Sequence, residues 1–108
     1  MKTVIVLNHD QMGHGDLTLG QKILTTFLRK SPAMQRVTAI VLYNSGVKLI
    51  TSDSPVLAEL RQLHESGVEL RPCGTCLDHY QLTPAVGRAS NMDEIVRELD
   101  AAEKVITL

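Results

Sequence analysis

The stretch VELRPCGTCLDHY, residues Val68–Tyr80, passes from a short apolar run through a glycine turn into a segment with helical spacing. It contains both cysteines of the chain, Cys73 and Cys76, separated by Gly74 and one further residue. A strand that leads directly into a helix is the repeating unit of α/β proteins. The stretch therefore indicates the fold class, and it also raises the question of what the paired cysteines do.

The same alternation of strand and helix patterns runs along the rest of the chain. The predicted strands are Thr3–Leu7, Val37–Tyr43, Val68–Arg71, Val86–Ala89 and Val105–Leu108. The predicted helices are Leu17–Arg29, a short turn at Val47–Ile50, the segment from Ser54 to Gly67, Leu77–Leu82 and the segment from Asn91 to Ala102. This order predicts a single α/β domain over residues 1–108. We expect a doubly wound, mostly parallel five-stranded sheet with helices on both faces.

Helix boundaries are marked by residues with known capping preferences. Asp16 precedes the first long helix, and Asn91 is followed three residues later by Glu94, as in a capping box. Ser54 followed by proline predicts the start of another helix, and Gly67 predicts its end. These signals support the element boundaries given above.

Three predicted loops follow strands at the carboxyl edge of the sheet, where ligands bind in open parallel sheets. They are Asn8–Asp16, Asn44–Val47 and Pro72–Thr75. Candidate contacts for a ligand or anion in the first two loops are His14, Asp16, Asn44 and Gly46. The alternative for each of these residues is an ordinary solvated turn. We expect the three loops to converge near the cysteines.

Composition narrows the possible functions. The chain has 108 residues, a formal net charge of -1 and only 3% aromatic residues, so a nucleic-acid-binding surface is not expected. The amino-terminal apolar run turns polar at Asn8, too early for an export signal or a membrane span. We therefore expect a cytosolic protein. The loops also lack dinucleotide and nucleoside triphosphate motifs, and no cofactor is predicted.

The spacing of Cys73 and Cys76 suits thiol chemistry in a reducing compartment. Two sulfurs at this spacing can meet in one covalent bond, so one cysteine can accept a sulfur atom while the other resolves the adduct. Backbone N–H groups at a helix start would favour the thiolate, whereas the nearby carboxylate of Asp78 would oppose it. These features favour a reactive cysteine pair.

Two alternatives to thiol chemistry stay open at this point. Cys73, Cys76 and His79 have half of a zinc-binding pattern, but zinc usually takes four ligands and the chain has no second cysteine pair. The other alternative is that the cysteines are two small residues packed against the sheet. We predict no metal as part of the site.

Four segments resemble the DsrE-like domain of YedF-type sulfurtransferase-like selenium metabolism proteins. They are MGHGDLTLGQKIL, YNSGVKL, SGVELRPCGTCLDHYQL and SNMDEIV, in that order along the chain. The resemblance implies a flavodoxin-like DsrE fold, frequent oligomerisation and a role in sulfur relay or selenium metabolism. It also implies that Cys73 is the sulfur-carrying residue and that Cys76 is the second cysteine of this branch. A TusA-like domain, which often precedes the DsrE-like domain in such proteins, would have to act in trans.

The resulting hypothesis is a cytosolic carrier of sulfur or selenium, sulfurtransferase-like if it is an enzyme. Cys73 would hold a persulfide and Cys76 would resolve it, with Gly74, Thr75, His79 and the loop residues named above as contacts of the charged sulfur. Its expected partners are a sulfur-donor or sulfur-acceptor protein and further copies of the same chain. The alternative is a non-enzymatic oligomeric binding module whose cysteine pair binds zinc or senses redox state.

Overall fold

The computed structural model describes residues 2–108. The strands are β1 (Thr3–Leu7), β2 (Val37–Leu42), β3 (Glu69–Pro72) and β4 (Lys104–Thr107). The α-helices are α1 (Leu17–Lys30), α2 (Leu57–Glu65), α3 (Gly74–Tyr80) and α4 (Met92–Ala101), and two 3₁₀ segments cover Ser31–Ala33 and Asn44–Ile50. No helix among these residues has the length and apolar character needed to cross a membrane.

The four strands form one parallel sheet in the order β3-β2-β1-β4. The chain moves from β1 outward to β3 and then returns across the sheet to place β4 on the other side of β1. The central strands β1 and β2 consist largely of β-branched and other apolar residues because both of their faces are covered. All four of these strands run in one direction, so their carboxyl ends meet at one edge.

Alternate residues of β1 and β2 point into two separate cores, as the two-residue period of a strand requires. The larger core joins one face of the sheet to α1 and α2; it includes Ile5, Leu7, Ile40, Leu42, Leu24, Leu28, Leu60 and Leu63. The smaller core joins the opposite face to α4; it includes Val4, Val6, Ala39, Val41, Cys73 and Ile95. The helices therefore lie on both faces of the sheet, and Cys73 belongs to the smaller core.

The prediction of five strands was wrong, because Val86–Ala89 does not form a strand. Gly87 in this segment has φ of 70°, a left-handed conformation that interrupts an extended chain. Only Ser90, just after the segment, makes a parallel bridge, and its partner is Cys73. The predicted last strand is present at Lys104–Thr107, shifted by one residue.

The strand order also differs from the flavodoxin-like arrangement that the resemblance implied. In flavodoxin the order is 2-1-3-4-5, with the third strand beside the first. Here β2 and β4 flank β1, and β3 lies at the edge beyond β2. This order places the turn after β3 at one side of the sheet, next to the loop after β2.

The predicted starts of α1 and α4 are confirmed, whereas α3 covers Gly74–Tyr80 and not the predicted Leu77–Leu82, because the Leu77 N–H already donates to Cys73 O as part of the helix. Asp16 accepts a hydrogen bond from Leu19 N at 2.8 Å, and Asn91 accepts one from Glu94 N at 2.9 Å. Ser54 accepts instead from Val56 N at 3.1 Å, and α2 begins only after that turn. The caps therefore fix where α1 and α4 begin, whereas Ser54 closes a turn just before α2.

Candidate functional site

The cysteine turn, defined here as Pro72–Cys76, joins the end of β3 to the first turn of α3. Cys73 is the N-cap residue of α3 with extended backbone angles, and its side chain is packed in the smaller core with a residue exposure of 3%. Cys76 lies on the first turn of α3 and is partly exposed. Both cysteines are free thiols, and Cys76 packs against the smaller core, to which Cys73 belongs. The same turn therefore holds one thiol inside the protein and one at its surface.

Ser90 holds the cysteine turn from the side of α4. Its N–H donates to Pro72 O at 2.7 Å, and its carbonyl accepts from Gly74 N at 2.9 Å. Its hydroxyl donates to Glu94 Oε1 at 2.8 Å. Because the Gly74 N–H is bonded to Ser90, this amide is not directed at either sulfur. The contribution of a free helix-start amide, expected from the sequence, is not present at Gly74.

Glu94 is the centre of a small charged network behind Ser90. Arg88 Nη2 lies 3.3 Å and Arg71 Nη1 lies 3.5 Å from Glu94 Oε2. The hydrogen bond from the Ser90 hydroxyl and then that from Arg88 hold the pKa of this carboxyl below its ordinary value. The network ties α4 to the segment that contacts the cysteine turn.

Asn44 provides the contact between the loop after β2 and the cysteines. Its backbone N–H donates to Cys76 Sγ at 3.1 Å. Asn44 has φ of 53°, a left-handed conformation that asparagine tolerates better than most residues. Its side-chain oxygen accepts a hydrogen bond from the Tyr80 hydroxyl at 3.1 Å. The expected convergence of this loop with the cysteine turn is therefore observed.

Gly46 brings the loop after β2 against the end of β1. A Cβ atom added at Gly46 would overlap the carbonyl oxygen of Leu7 and would lie 3.4 Å from His9 N. Gly46 N also donates to Tyr43 O at 3.0 Å, closing the turn that contains Asn44. Glycine is required here because of this close backbone approach, which fixes the position of the Asn44 N–H.

The surroundings of Cys76 include contacts that raise the pKa of its thiol and one that lowers it. Burial raises the pKa of the Cys76 thiol most strongly, the N–H of Asn44 lowers it, and the neighbouring Cys73 thiol raises it. The net effect is a raised pKa. The amide of Asn44 is thus the contact that favours a charged sulfur at this position.

The loop Asn8–Asp16 is organised mainly by its own contacts. Asp16 is engaged as the cap of α1, and the exposed His14 ring stacks on His9 with centroids 4.9 Å apart. His9 Nε2 is buried and has no hydrogen-bond partner among residues 2–108. The loop meets the rest of the site through the backbone of His9, which lies beside Gly46.

The remaining predicted contacts lie on α3 itself. Thr75 and His79 are exposed, and the His79 ring packs edge-on against Tyr80 with centroids 5.0 Å apart. Within residues 2–108, no group of three or more His, Cys, Asp or Glu side chains is arranged to hold a metal ion. The half zinc pattern noted in the sequence is therefore not completed by further ligands in the described part of the chain.

Tyr80 also lines a cavity of about 310 Å³. Asp10, Lys48 and Asp53 contribute charged groups to its lining, and the Lys48 Nζ atom lies 4.8 Å from the centroid of the Tyr80 ring. Neither cysteine is among the lining residues that the structure describes. Tyr80, which also contacts Asn44, is the residue that the cavity shares with the surroundings of Cys76.

Tyr80 and Ser90 were not identified as site residues from the sequence. Tyr80 lies four residues after Cys76 on a helix, a spacing that places both side chains on one face. That spacing is the signal that would have indicated Tyr80. Ser90 is the first residue of the SNMDEIV segment but has no predicted role, because its contact with Cys73 depends on how the chain returns across the sheet.

Solved structures with the same arrangement cover almost the whole chain. YchN from E. coli matches with a TM-score of 0.73 at 19% identity, covering 99% of this chain and 98% of that protein. A protein of unknown function from Methanobacterium thermoautotrophicum, MTH1491, matches with the same TM-score, identity and coverage. BT1422 from Bacteroides thetaiotaomicron matches with a TM-score of 0.69 at 19% identity, covering 99% of this chain and 94% of that protein. At 19% identity, these similarities show that the chain shares the fold of the three proteins.

The comparison with curated proteins gives no match. The profile described as the DsrE/DsrF-like family, in contrast, matches residues 1–108. The parallel α/β fold and the resemblance noted in four sequence segments agree with that match. The chain belongs to the DsrE/DsrF-like family.

Proposed function

We propose that this protein is a carrier of sulfur, or of selenium, that uses Cys73 and Cys76 as a pair. The observation that carries the proposal is the position of both thiols in one turn at the carboxyl edge of the sheet, with the Asn44 N–H donated to Cys76. Paired thiols beside a hydrogen-bond donor suit the transfer of a sulfur atom between sulfurs. Membership of the DsrE/DsrF-like family supports a role of this kind.

In this proposal Cys73 holds the transferred atom as a persulfide, as the resemblance implies. Its position in the smaller core would shield the persulfide from water and from unrelated thiols. Release has two routes. The Cys76 thiolate can take back the outer sulfur and pass it to an acceptor thiolate, which leaves Cys73 as a thiolate, or it can attack the inner sulfur, expel hydrosulfide and form a disulfide with Cys73. A thiol reductant must then reopen that disulfide.

The donor and acceptor are proposed to be proteins of the cytosol, including a TusA-like domain supplied in trans. Neither cysteine lines the cavity beside Tyr80, so the proposal assigns the sulfur donor to a protein and not to a small substrate bound in that cavity. Cys76 instead faces the surface, where a protein-bound persulfide can approach. His14 and His79 stay predictions as further contacts of the sulfur, since their ring contacts in the structure are with His9 and Tyr80.

We also propose that the chain forms a homo-oligomer. Met92 and Val96 on α4 and Val105 on β4 have exposures of 53%, 56% and 46%. Apolar surface of this kind is often covered by a second protein copy. Light scattering of the purified chain should give the mass of more than one copy, and Val96→Glu should lower it. A monomer at every protein concentration would contradict this proposal.

Mass spectrometry after exposure to a low-molecular-weight persulfide tests the carrier function. The unsubstituted protein should gain the mass of one sulfur atom, and the gain should disappear after treatment with a thiol reductant. The double variant Cys73→Ser/Cys76→Ser is the matched control and should gain nothing. If the unsubstituted protein gains no sulfur from any persulfide donor, the carrier function is wrong.

The second candidate is a binding module whose cysteine pair binds zinc or senses redox state. The placement of two free thiols in one turn is the observation that favours it, because the same pair could close into a disulfide. Stoichiometric zinc in the purified protein, or a stable disulfide that changes its assembly state without any sulfur uptake, would favour this candidate over the carrier.

A further inference from the structure

We propose that the two cysteines act in a fixed order: Cys76 accepts the sulfur first and then passes it to Cys73, with Tyr80 as the positioning residue for the Asn44 N–H. This inference rests on the proposed carrier function and assigns the step at which each thiol acts. It rests on differences in burial and hydrogen bonding between two neighbouring sulfurs.

The two thiols differ in how exposed they are to a sulfur donor. Cys73 has an exposure of 3% and is packed among residues of β1, β2 and α4. A persulfide carried by another protein cannot reach that sulfur without displacing the smaller core. Cys76 is partly exposed on the first turn of α3 and packs against the smaller core that contains Cys73. The outer thiol can therefore meet a donor, whereas the inner thiol meets only the outer one.

The two thiols also differ in hydrogen bonding, and this difference again favours Cys76 as the thiol that reacts first. Cys76 Sγ accepts the Asn44 N–H at 3.1 Å. A hydrogen bond to a charged sulfur is stronger than one to a neutral thiol, so this donor stabilises Cys76 as a thiolate. The stabilisation applies twice: when the Cys76 thiolate attacks the donor, and when the same thiolate leaves after the sulfur has moved to Cys73. Both steps become faster when this charge is stabilised at the right position.

The N–H that reaches the sulfur belongs to a residue with a left-handed backbone, since Asn44 has φ of 53°. That conformation is disfavoured for residues other than glycine, and surrounding contacts must maintain it. The Tyr80 hydroxyl, bonded to Asn44 Oδ1 at 3.1 Å, provides one such contact. Close packing of Gly46 on the end of β1 provides another. Tyr80 thus acts on the sulfur indirectly, through the orientation of Asn44.

The two transfers balance without any oxidant or reductant. The Cys76 thiolate attacks the outer sulfur of a donor persulfide; a new sulfur–sulfur bond forms on Cys76, the donor bond breaks and the donor leaves as a thiolate. Cys73 then loses its proton to the departing Cys76 sulfur and attacks the same outer sulfur atom. The product is a Cys73 persulfide and a free Cys76 thiol, and the transferred atom keeps its oxidation state throughout.

Sulfur uptake by the single variants tests the order of the two thiols. With a low-molecular-weight persulfide as the probe, Cys73→Ser should gain sulfur at a rate close to that of the unsubstituted protein but lose it quickly to added thiol. Cys76→Ser should gain sulfur at least about tenfold more slowly, because only the buried thiol is left. Rapid uptake by Cys76→Ser together with slow uptake by Cys73→Ser would overturn the order. Absence of uptake in the unsubstituted protein would instead contradict the carrier function itself.

The role of Tyr80 can be tested without any sulfur donor. In the Cys73→Ser background, the rate of Cys76 alkylation is measured against pH for Tyr80→Phe. Loss of the hydroxyl should loosen the Asn44 N–H and move the midpoint of the profile upward by about half a pH unit or more. Asn44→Gly, which tolerates the backbone conformation but lacks the side-chain acceptor, should shift it in the same direction.

Tyr43→Phe provides the matched control, since Tyr43 is the only other tyrosine of the chain and packs against the smaller core. It should leave the midpoint unchanged. If Tyr80→Phe and Tyr43→Phe give the same profile as the parent, Tyr80 does not position the donor. Circular dichroism of each variant confirms that the fold is retained in these measurements.

Discussion

The loop after β1 and the loop after β2 both lie at the carboxyl edge of the sheet, but they contribute differently. The first, Asn8–Asp16, is rich in histidine, aspartate and glycine, and its side chains are used to cap α1 and to stack on one another. The second, Asn44–Val47, has no ionisable side chain, yet its backbone donates to Cys76 and packs against β1. The comparison shows that backbone placement at a strand end can matter more than the chemical type of the side chains.

The physical reason is that the backbone of the second loop lies within hydrogen-bonding distance of Cys76 Sγ and that a turn fixes its direction. A backbone N–H that is fixed by a tight turn has a defined direction, whereas an exposed side chain such as that of His14 can adopt several rotamers. Gly46 allows the second loop to approach β1 closely, and Tyr80 holds Asn44 from the other side. The second loop is therefore rigid where it meets the sulfur.

The largest expected effect comes from a methyl group added to the second loop. Gly46→Ala places a Cβ atom against the Leu7 carbonyl, and we expect a loss of about 1–3 kcal/mol in the free energy of unfolding, because neither backbone segment can move freely. Gly15→Ala in the first loop is the matched control, since nothing lies within 4 Å of its added Cβ. It should change stability by less than about 0.5 kcal/mol. Urea unfolding of both variants gives the two values, and equal losses would remove the contrast between the loops.

A smaller effect is expected for the cap of the first loop. Asp16→Ala removes the acceptor of the Leu19 N–H and should lower the free energy of unfolding by about 1 kcal/mol. Sulfur uptake should be unchanged, because the carboxylate is directed at α1. Asn91→Ala removes the equivalent cap of α4 and should have a similar cost. A marked loss of uptake in Asp16→Ala alone would show that the first loop contacts the substrate after all.

Those parts of the fold that depend on local patterns were predicted from the sequence. The continuous apolar runs of β1 and β2, the caps Asp16 and Asn91, and the strand-to-helix passage at the cysteines are all present. Convergence of the loops after β2 and β3 followed from the rule that parallel strands end at one edge. These features need only neighbouring residues or the general geometry of parallel sheets.

Features that depend on distant contacts were not predictable in the same way. Val86–Ala89 has apolar residues typical of a strand, but the left-handed backbone of Gly87 leaves only the single bridge at Ser90. Cys73 is buried because the return of the chain brings Ile95 of α4 over the same face of the sheet. The bond from Tyr80 to Asn44 joins residues 36 positions apart and requires a positive φ that the sequence does not specify.

The smallest expected effect concerns the network of Glu94 with Arg88 and Arg71, which supports the cysteine turn through Ser90. Because the hydrogen bonds from Ser90 and Arg88 lower the pKa of Glu94, this carboxylate stabilises the folded state above its ordinary pKa of 4.5, and the contribution disappears as the pH falls through the lower folded value. Glu94→Gln should therefore unfold at a lower urea concentration than the parent near neutral pH, and the difference should shrink at about pH 3. Ser90→Ala removes the largest cause of the shift and should weaken the pH dependence. If the stability difference between Glu94→Gln and the parent stays constant with pH, Glu94 acts only by packing. Its support of the cysteine turn would then be steric, like the close packing of Gly46 on the end of β1.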